Sequence, residues 1–180
     1  MTPEHIRSEP VVLFLRLDAS WVFVDDIRRF VESFCAAACP GTDREEQLAL
    51  ATHELVQNAI AYASAPGIDL RLAMDREAGR VRVSVSNAVR PEQAAVLRER
   101  LARIVAHRDP LAGYLAAMRE NPDGRGGLGL PRIRCEAALE LAMSHEGERV
   151  TVHAEGPLAA PPQDWIPAAL ARQASAMMSA

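Results

Sequence analysis

The chain has 180 residues, 49% of them hydrophobic and 24% charged, with a formal net charge of -4. That composition fits one globular domain with a sizeable core and excludes a disordered chain. The acidic balance argues against non-specific nucleic-acid binding. No apolar run nears the ~20 residues of a membrane span, and no basic-then-apolar leader opens the chain.

Val11, Leu13, Leu15 and Leu17 recur at period two, which predicts a strand. Val12 and Phe14 between them predict that it is covered on both faces. Asp18 or Ser20 offers an N-cap, and Trp21, Val24, Ile27, Val31 and Phe34 follow at helical spacing as far as Pro40-Gly41. Cys35 and Cys39 sit one turn apart near the end of that helix. Two thiolates on one face can ligate a metal, but in an Ala-rich stretch they read as small buried side chains. With Cys135 the cysteine count is three, an odd number without a disulfide framework, which points to a reducing compartment and a cytoplasmic protein. The five histidines include no His-x-x-x-His pair, so no metal site is read from them.

Thr42 with Glu45 three residues on predicts a capping box and a helix to about Ala63. Ile68, Leu70, Leu72 and Met74, then Val81, Val83 and Val85, predict a hairpin around residues 76–79. Helices are expected over 91–107 and 110–119, then a Gly-rich loop over 121–129, then a helix from Leu130 or Pro131. Alternation at Leu139, Leu141 and Met143 and at Val150, Val152 and Ala154 predicts a second hairpin turning at residues 146–148. One-sided strands joined by hairpins predict an α/β two-layer sandwich: a mostly antiparallel, mixed sheet with helices on one face. Residues 1–156 form this domain. Residues 157–180 are a Pro- and Ala-rich linker and a tail, with room for a short helix from Trp165 to Met178 that docks on the body or on a partner.

On the second predicted helix, Leu48, Thr52, Leu55, Val56, Ala59, Ile60 and Ala63 share a core stripe. Glu54 and Asn58 lie opposite, one turn apart, flanked by Ala51 and Tyr62. Alone they make an ordinary solvated polar pair. Their setting adds chemistry. An Asn carbonyl is a hard oxygen ligand for magnesium that adds no charge, and a carboxylate one turn away can orient a nucleophile. Downstream, the string from Gly124 to Leu130 (Gly-Arg-Gly-Gly-Leu-Gly-Leu) precedes a helix with Pro131 in its first turn. Such glycines let backbone N–H groups approach phosphate oxygens. Arg132 and Arg134 follow, either within reach of phosphate or as surface charge.

The Glu54-x-x-x-Asn58-Ala59 core resembles the N box of the GHKL ATPases, the superfamily of gyrase, heat-shock chaperone, histidine kinase and mismatch-repair ATPases. The short single-domain form is most similar to the anti-sigma-factor serine kinases. The resemblance implies a Bergerat-type ATP-binding fold with ATP and Mg2+ as cofactors. It implies Asn58 as the magnesium and phosphate ligand and Glu54 as the base that polarises an attacking hydroxyl. The Gly126-Gly127-Leu128-Gly129 segment resembles the second glycine box, which caps the triphosphate, and leaves a lid over about 91–125. The first glycine box, Asp-x-Gly-x-Gly, is replaced by Asn87-Ala-Val-Arg-Pro91. Asn87 keeps the phase of Val81, Val83 and Val85 and so points between sheet and helices. There it either takes the adenine amino group on its oxygen or caps the next helix or turn. Two functions follow from the resemblance. One is an Mg-ATP-binding regulator with serine/threonine kinase activity on an anti-sigma antagonist, or one that sequesters a sigma factor, working as a homodimer without membrane or nucleic acid. The other is a non-catalytic interaction module on the same fold that has lost ATP. A histidine phosphotransfer role is disfavoured, because His53, His107 and His145 sit in no phospho-acceptor context.

Overall fold

The computed structural model describes residues 9–121 and 127–159. Five strands form one sheet: β1 (Val11–Leu17), β2 (Ile68–Asp75), β3 (Arg80–Ala88), β4 (Glu140–Glu146) and β5 (Arg149–Pro157), in spatial order β1-β2-β3-β5-β4. All four pairings are antiparallel, so the expected sheet appears without a parallel pair among the described residues. The period-two pattern explains the layering. Ile68, Leu70, Leu72 and Met74 on β2 and Val81, Val83 and Val85 on β3 are all buried on one face. Helices α1 (Val24–Ala38), α2 (Glu45–Tyr62), α3 (Pro91–Ala106), α4 (Pro110–Glu120) and α5 (Gly129–Glu136) complete the architecture, with α2 central and packed on α1, α5, β2 and β3. No helix among the described residues is long and apolar enough to cross a membrane.

The other sheet face is open. Val12 and Phe14 are 45% and 56% exposed, which corrects the expectation that β1 is covered on both sides. β1 is an edge strand, and nothing among the described residues lies over its outer face. Charged side chains occupy that face in two clusters. Asp69 pairs with Arg16 and Arg149, and Glu155 with Arg80 and Arg82. The hydrogen bond from Arg16, ahead of the charge of Arg149, holds the Asp69 carboxyl below its ordinary pKa, and Arg80 and Arg82 do the same to Glu155. A carboxylate depressed in the folded state stabilises the fold above its unfolded pKa, and that contribution fades as pH falls through the folded value. Asp69→Asn and Glu155→Gln are therefore expected to lower the urea midpoint slightly at neutral pH, with the gap to wild type closing below about pH 4. A gap that does not narrow at all as pH falls below about 4 would show that shape, not charge, matters there.

The start of α2 departs from the sequence expectation. No capping box forms. Thr42 Oγ1 donates to the Cys39 carbonyl at 2.9 Å, and Arg44 takes the N-cap position without a side-chain cap. Asp43 adopts φ +51°, and Arg44 turns inward until it is fully buried, its Nη1 donating to Ala137 O at 2.9 Å. A tertiary contact fixes this helix start where a local cap was expected. Burial lowers the Arg44 pKa from its ordinary value. All three cysteines are buried and none forms a disulfide among the described residues, and burial, with Cys39 nearby, pushes the Cys35 thiol up to about 12. At the far end Leu158 N donates to Gly79 O. The expected tail helix lies outside the described residues.

Candidate functional site

Helix α2 is buried on more than the predicted stripe. Ala49, Leu50 and Ala51 join Leu48, Thr52, Leu55, Val56 and Ala59 in the interior, because α1, α5 and the sheet each claim a side of the helix. The remaining strip carries Glu54 and Asn58 and faces the start of α5. Asn58 Nδ2 donates to the Glu54 carbonyl one turn back at 2.8 Å. That bond fixes the amide and leaves Oδ1 without a partner among the described residues.

Opposite this strip run Gly127, Leu128 and Gly129. Gly127 has φ +88°, a conformation that favours glycine, and lies close to Arg100 of α3 and Asn121. Gly129 is constrained differently. A β-carbon there would overlap Glu54 Oε2 and stand 3.2 Å from Glu54 Cδ. Glycine is what lets the two helices come this close. Gly126 lies outside the described residues.

Glu54 is largely enclosed, its side chain 13% exposed, and Arg132 Nη1 reaches its Oε1 at 3.3 Å. Arg132 also donates through Nε to Glu136 Oε1 at 2.8 Å. The Glu136 bond, more than Glu54, raises the Arg132 pKa above its ordinary value, so the guanidinium keeps its charge at any working pH. Tyr114 of α4 closes the site, and burial holds its phenol above its ordinary pKa, hence protonated.

These groups line a cleft of about 480 Å3 between α2, α4 and α5. A second cleft of about 720 Å3 runs on between α3, α4 and α5, and the two share Tyr62, Arg100 and Gly127. The cleft thus offers a ligand oxygen, a glycine-lined approach and cations from two helices. Such a set can hold a magnesium-bound polyphosphate.

The structure brings together Glu54, Asn58, Gly127, Leu128 and Gly129. Asn87 stands apart. It lies inside β3 with 5% exposure and lines neither cleft. It points into the helix-facing layer, as its phase predicts, but its Nδ2 donates to Ala59 O at 3.1 Å and Ala88 O at 3.2 Å. It does not cap the helix that follows, since Arg90 holds the N-cap of α3; its amide instead meets a carbonyl in the last turn of α2. Of the two arginines after the glycines, only Arg132 reaches the cleft. Arg134 is neither at the phosphate site nor on the surface: 5% exposed, it donates to Ile104 O and His107 O and pairs with Glu140. The Arg132–Glu136 contact has the i, i+4 spacing that the sequence displays. The Arg132–Glu54 contact spans 78 positions and carries no local signal.

A family profile described as histidine kinase-like ATPase domain matches residues 19–154, about three quarters of the chain. In fold, the chain is similar to a chain in the crystal structure of the SiaB–SiaC complex from Pseudomonas aeruginosa. The TM-score is 0.66 at 21% sequence identity, over 80% of this chain and 88% of that one. At that identity the likeness speaks to the fold. No curated protein matches the sequence.

Proposed function

The chain belongs to the histidine kinase-like ATPase family, and from that premise we propose that it is a signalling regulator that holds Mg-ATP by its phosphates and controls a protein partner. One observation carries the reading: the oriented Asn58 amide faces the Gly127–Gly129 approach across a cleft that also holds Glu54 and Arg132. The donor set fits the phosphate end of a nucleotide. Asn58 Oδ1 would ligate magnesium, N–H groups of the glycine segment would meet phosphate oxygens, and Arg132 would add charge. Bound magnesium supplies neutralisation of phosphate charge, which together with positioning is most of what phosphoryl transfer needs.

Glu54 Oε1 or Oε2 would accept the proton of a serine or threonine hydroxyl brought by the partner. Arg132, at 3.3 Å, holds that carboxylate in place. The partner is a protein: SiaB–SiaC is itself a two-protein assembly, and the anti-sigma kinases that the sequence resembles act on an antagonist or a sigma factor. The same reading makes the protein a cytoplasmic homodimer with its domain over residues 1–156.

A second reading, an interaction module that binds no nucleotide, is favoured by the altered segment at Asn87. Calorimetric titration with Mg-ATP separates the two. A dissociation constant in the micromolar range supports the nucleotide reading. No detectable binding at millimolar ligand would overturn it and leave the module.

A further inference from the structure

We infer that the open face of the sheet is the docking site of this chain's own segment 160–180, which seats its apolar side chains in the groove beside Phe14.

The outer face carries a groove of about 500 Å3, with Phe14, Arg71, Ala73, Arg82 and Glu155 in its lining. The strand register builds it. On one row Val12, Ala73, Arg82 and Glu155 lie side by side across β1, β2, β3 and β5. On the next row stand Phe14, Arg71, Ser84 and His153. Small Ala73 makes the floor between an apolar wall on β1 and a charged wall on β3 and β5. Val12 and Phe14, two positions apart and so on one side of the strand, form the apolar wall. Neighbouring large apolar side chains on an open face mark a contact surface, where isolated ones do not. Of the charges, Glu155 is shared by Arg80 and Arg82. Arg71 is exposed and makes no hydrogen bond or ion pair with the other described residues.

Position, sequence pattern and reach together name the occupant. The last described residues lie beside this groove: Pro157 is opposite Arg80, and Leu158 N donates to Gly79 O, in the turn next to the groove residue Ala78. In the segment that follows, Ile166, Leu170, Ala174 and Met177 recur at the spacing of one apolar helical stripe, with Arg172 on the opposite side. Asp164, the one acidic residue of 160–180, precedes that stripe and supplies the charge that Arg71 lacks. The distance is right. Arg71 lies four strand positions from Asp75 at the rim, which is ~13 Å. Residues 159–164 span up to ~20 Å when extended, and Pro161 and Pro162 favour the extended form. A segment on so short a tether meets the groove at an effective concentration in the millimolar range, so a modest contact area suffices. A second copy has no such advantage.

Arg172 is the only lysine or arginine in residues 160–180, so trypsin reads the segment at one bond. The test follows release of residues 173–180 by mass spectrometry, from the full chain and from a synthetic peptide of residues 160–180. Cleavage is expected to be at least about tenfold slower in the full chain, because it tracks the undocked fraction. The protection is expected to be independent of protein concentration. It is expected to be lost in Phe14→Asp, which spoils the apolar wall, and in Arg71→Glu, which reverses the unpaired charge. Both side chains are exposed, and circular dichroism and the thermal midpoint check that each variant keeps the fold. Equal cleavage of chain and peptide overturns the inference. Protection that survives either substitution places the segment off this face and also overturns it. Protection that disappears on dilution assigns the groove to a second copy's segment and overturns docking within one chain.

Discussion

Asn58→Ala is expected to weaken Mg-ATP binding by at least about tenfold, a loss of about 1.4 kcal/mol or more. The substitution removes Oδ1, the oxygen that the Nδ2–Glu54 bond holds toward the cleft, and with it a direct ligand for a hard cation. It is a clean change. Asn58 is only partly buried on α2, and alanine is the best helix former, so the helix itself should gain slightly. Calorimetry and nucleotide-dependent thermal shift should therefore part company from intrinsic stability. The midpoint without ligand stays level or rises, while the upward shift that wild type shows in Mg-ATP shrinks. Equal affinity in wild type and variant would mean that magnesium and phosphates lie elsewhere.

Gly129→Ala carries the largest expected cost in stability. The added methyl overlaps Glu54 Oε2, so the carboxylate must leave its place beside Arg132 or the start of α5 must shift. Glu54 is enclosed and tied to Arg132, while Gly129 opens α5, whose Leu130 and Ile133 are fully buried. Overpacking of this kind costs about 1–3 kcal/mol, read as a fall in the urea or thermal midpoint. The companion experiment is the double variant. Truncating Glu54 to alanine deletes the clashing carboxylate, and the remaining contact, 3.5 Å to Glu54 Cβ, is ordinary. Glu54→Ala combined with Gly129→Ala should recover most of the loss, giving the strong coupling expected of groups in contact. Additive losses would show that the glycine is needed for its backbone and not for the approach of the carboxylate.

The parts of this molecule that announced themselves in the sequence are those governed by neighbours a few residues away. Val81, Val83 and Val85 alternate because one sheet face is buried and the other is not. Glu54 and Asn58 fall on one side of α2 because 3.6 residues make a turn. Long-range pairings gave no such signal. Arg44 and Arg134 look like surface charge in the sequence, yet each is buried because backbone carbonyls far along the chain, Ala137 for one and Ile104 for the other, need donors. The capping box at Thr42 failed for the same reason, since the inward pull on Arg44 outweighs a local cap. The direction of Asn87 is legible in its phase, but its bond to Ala59 is not, because that bond depends on how closely α2 lies on β3. The extra burial of Ala49 and Leu50 follows from three elements crowding one helix, a fact of topology that no window of sequence contains.

The register of β3 against β5 has a consequence for how separable the cleft is. Asn87 lies opposite Val150, and the chain between these central strands contains α3, α4, α5 and β4. A fragment ending at residue 136 would keep Glu54, Asn58 and the whole glycine string, yet β3 would lose the strand that flanks it and become an unprotected edge. Val89 would lose its acceptor at Glu148 as well. Contacts so distant along the chain are also the slow ones to form. The cleft therefore belongs to the intact domain and cannot be lifted out as a short motif for grafting onto another scaffold.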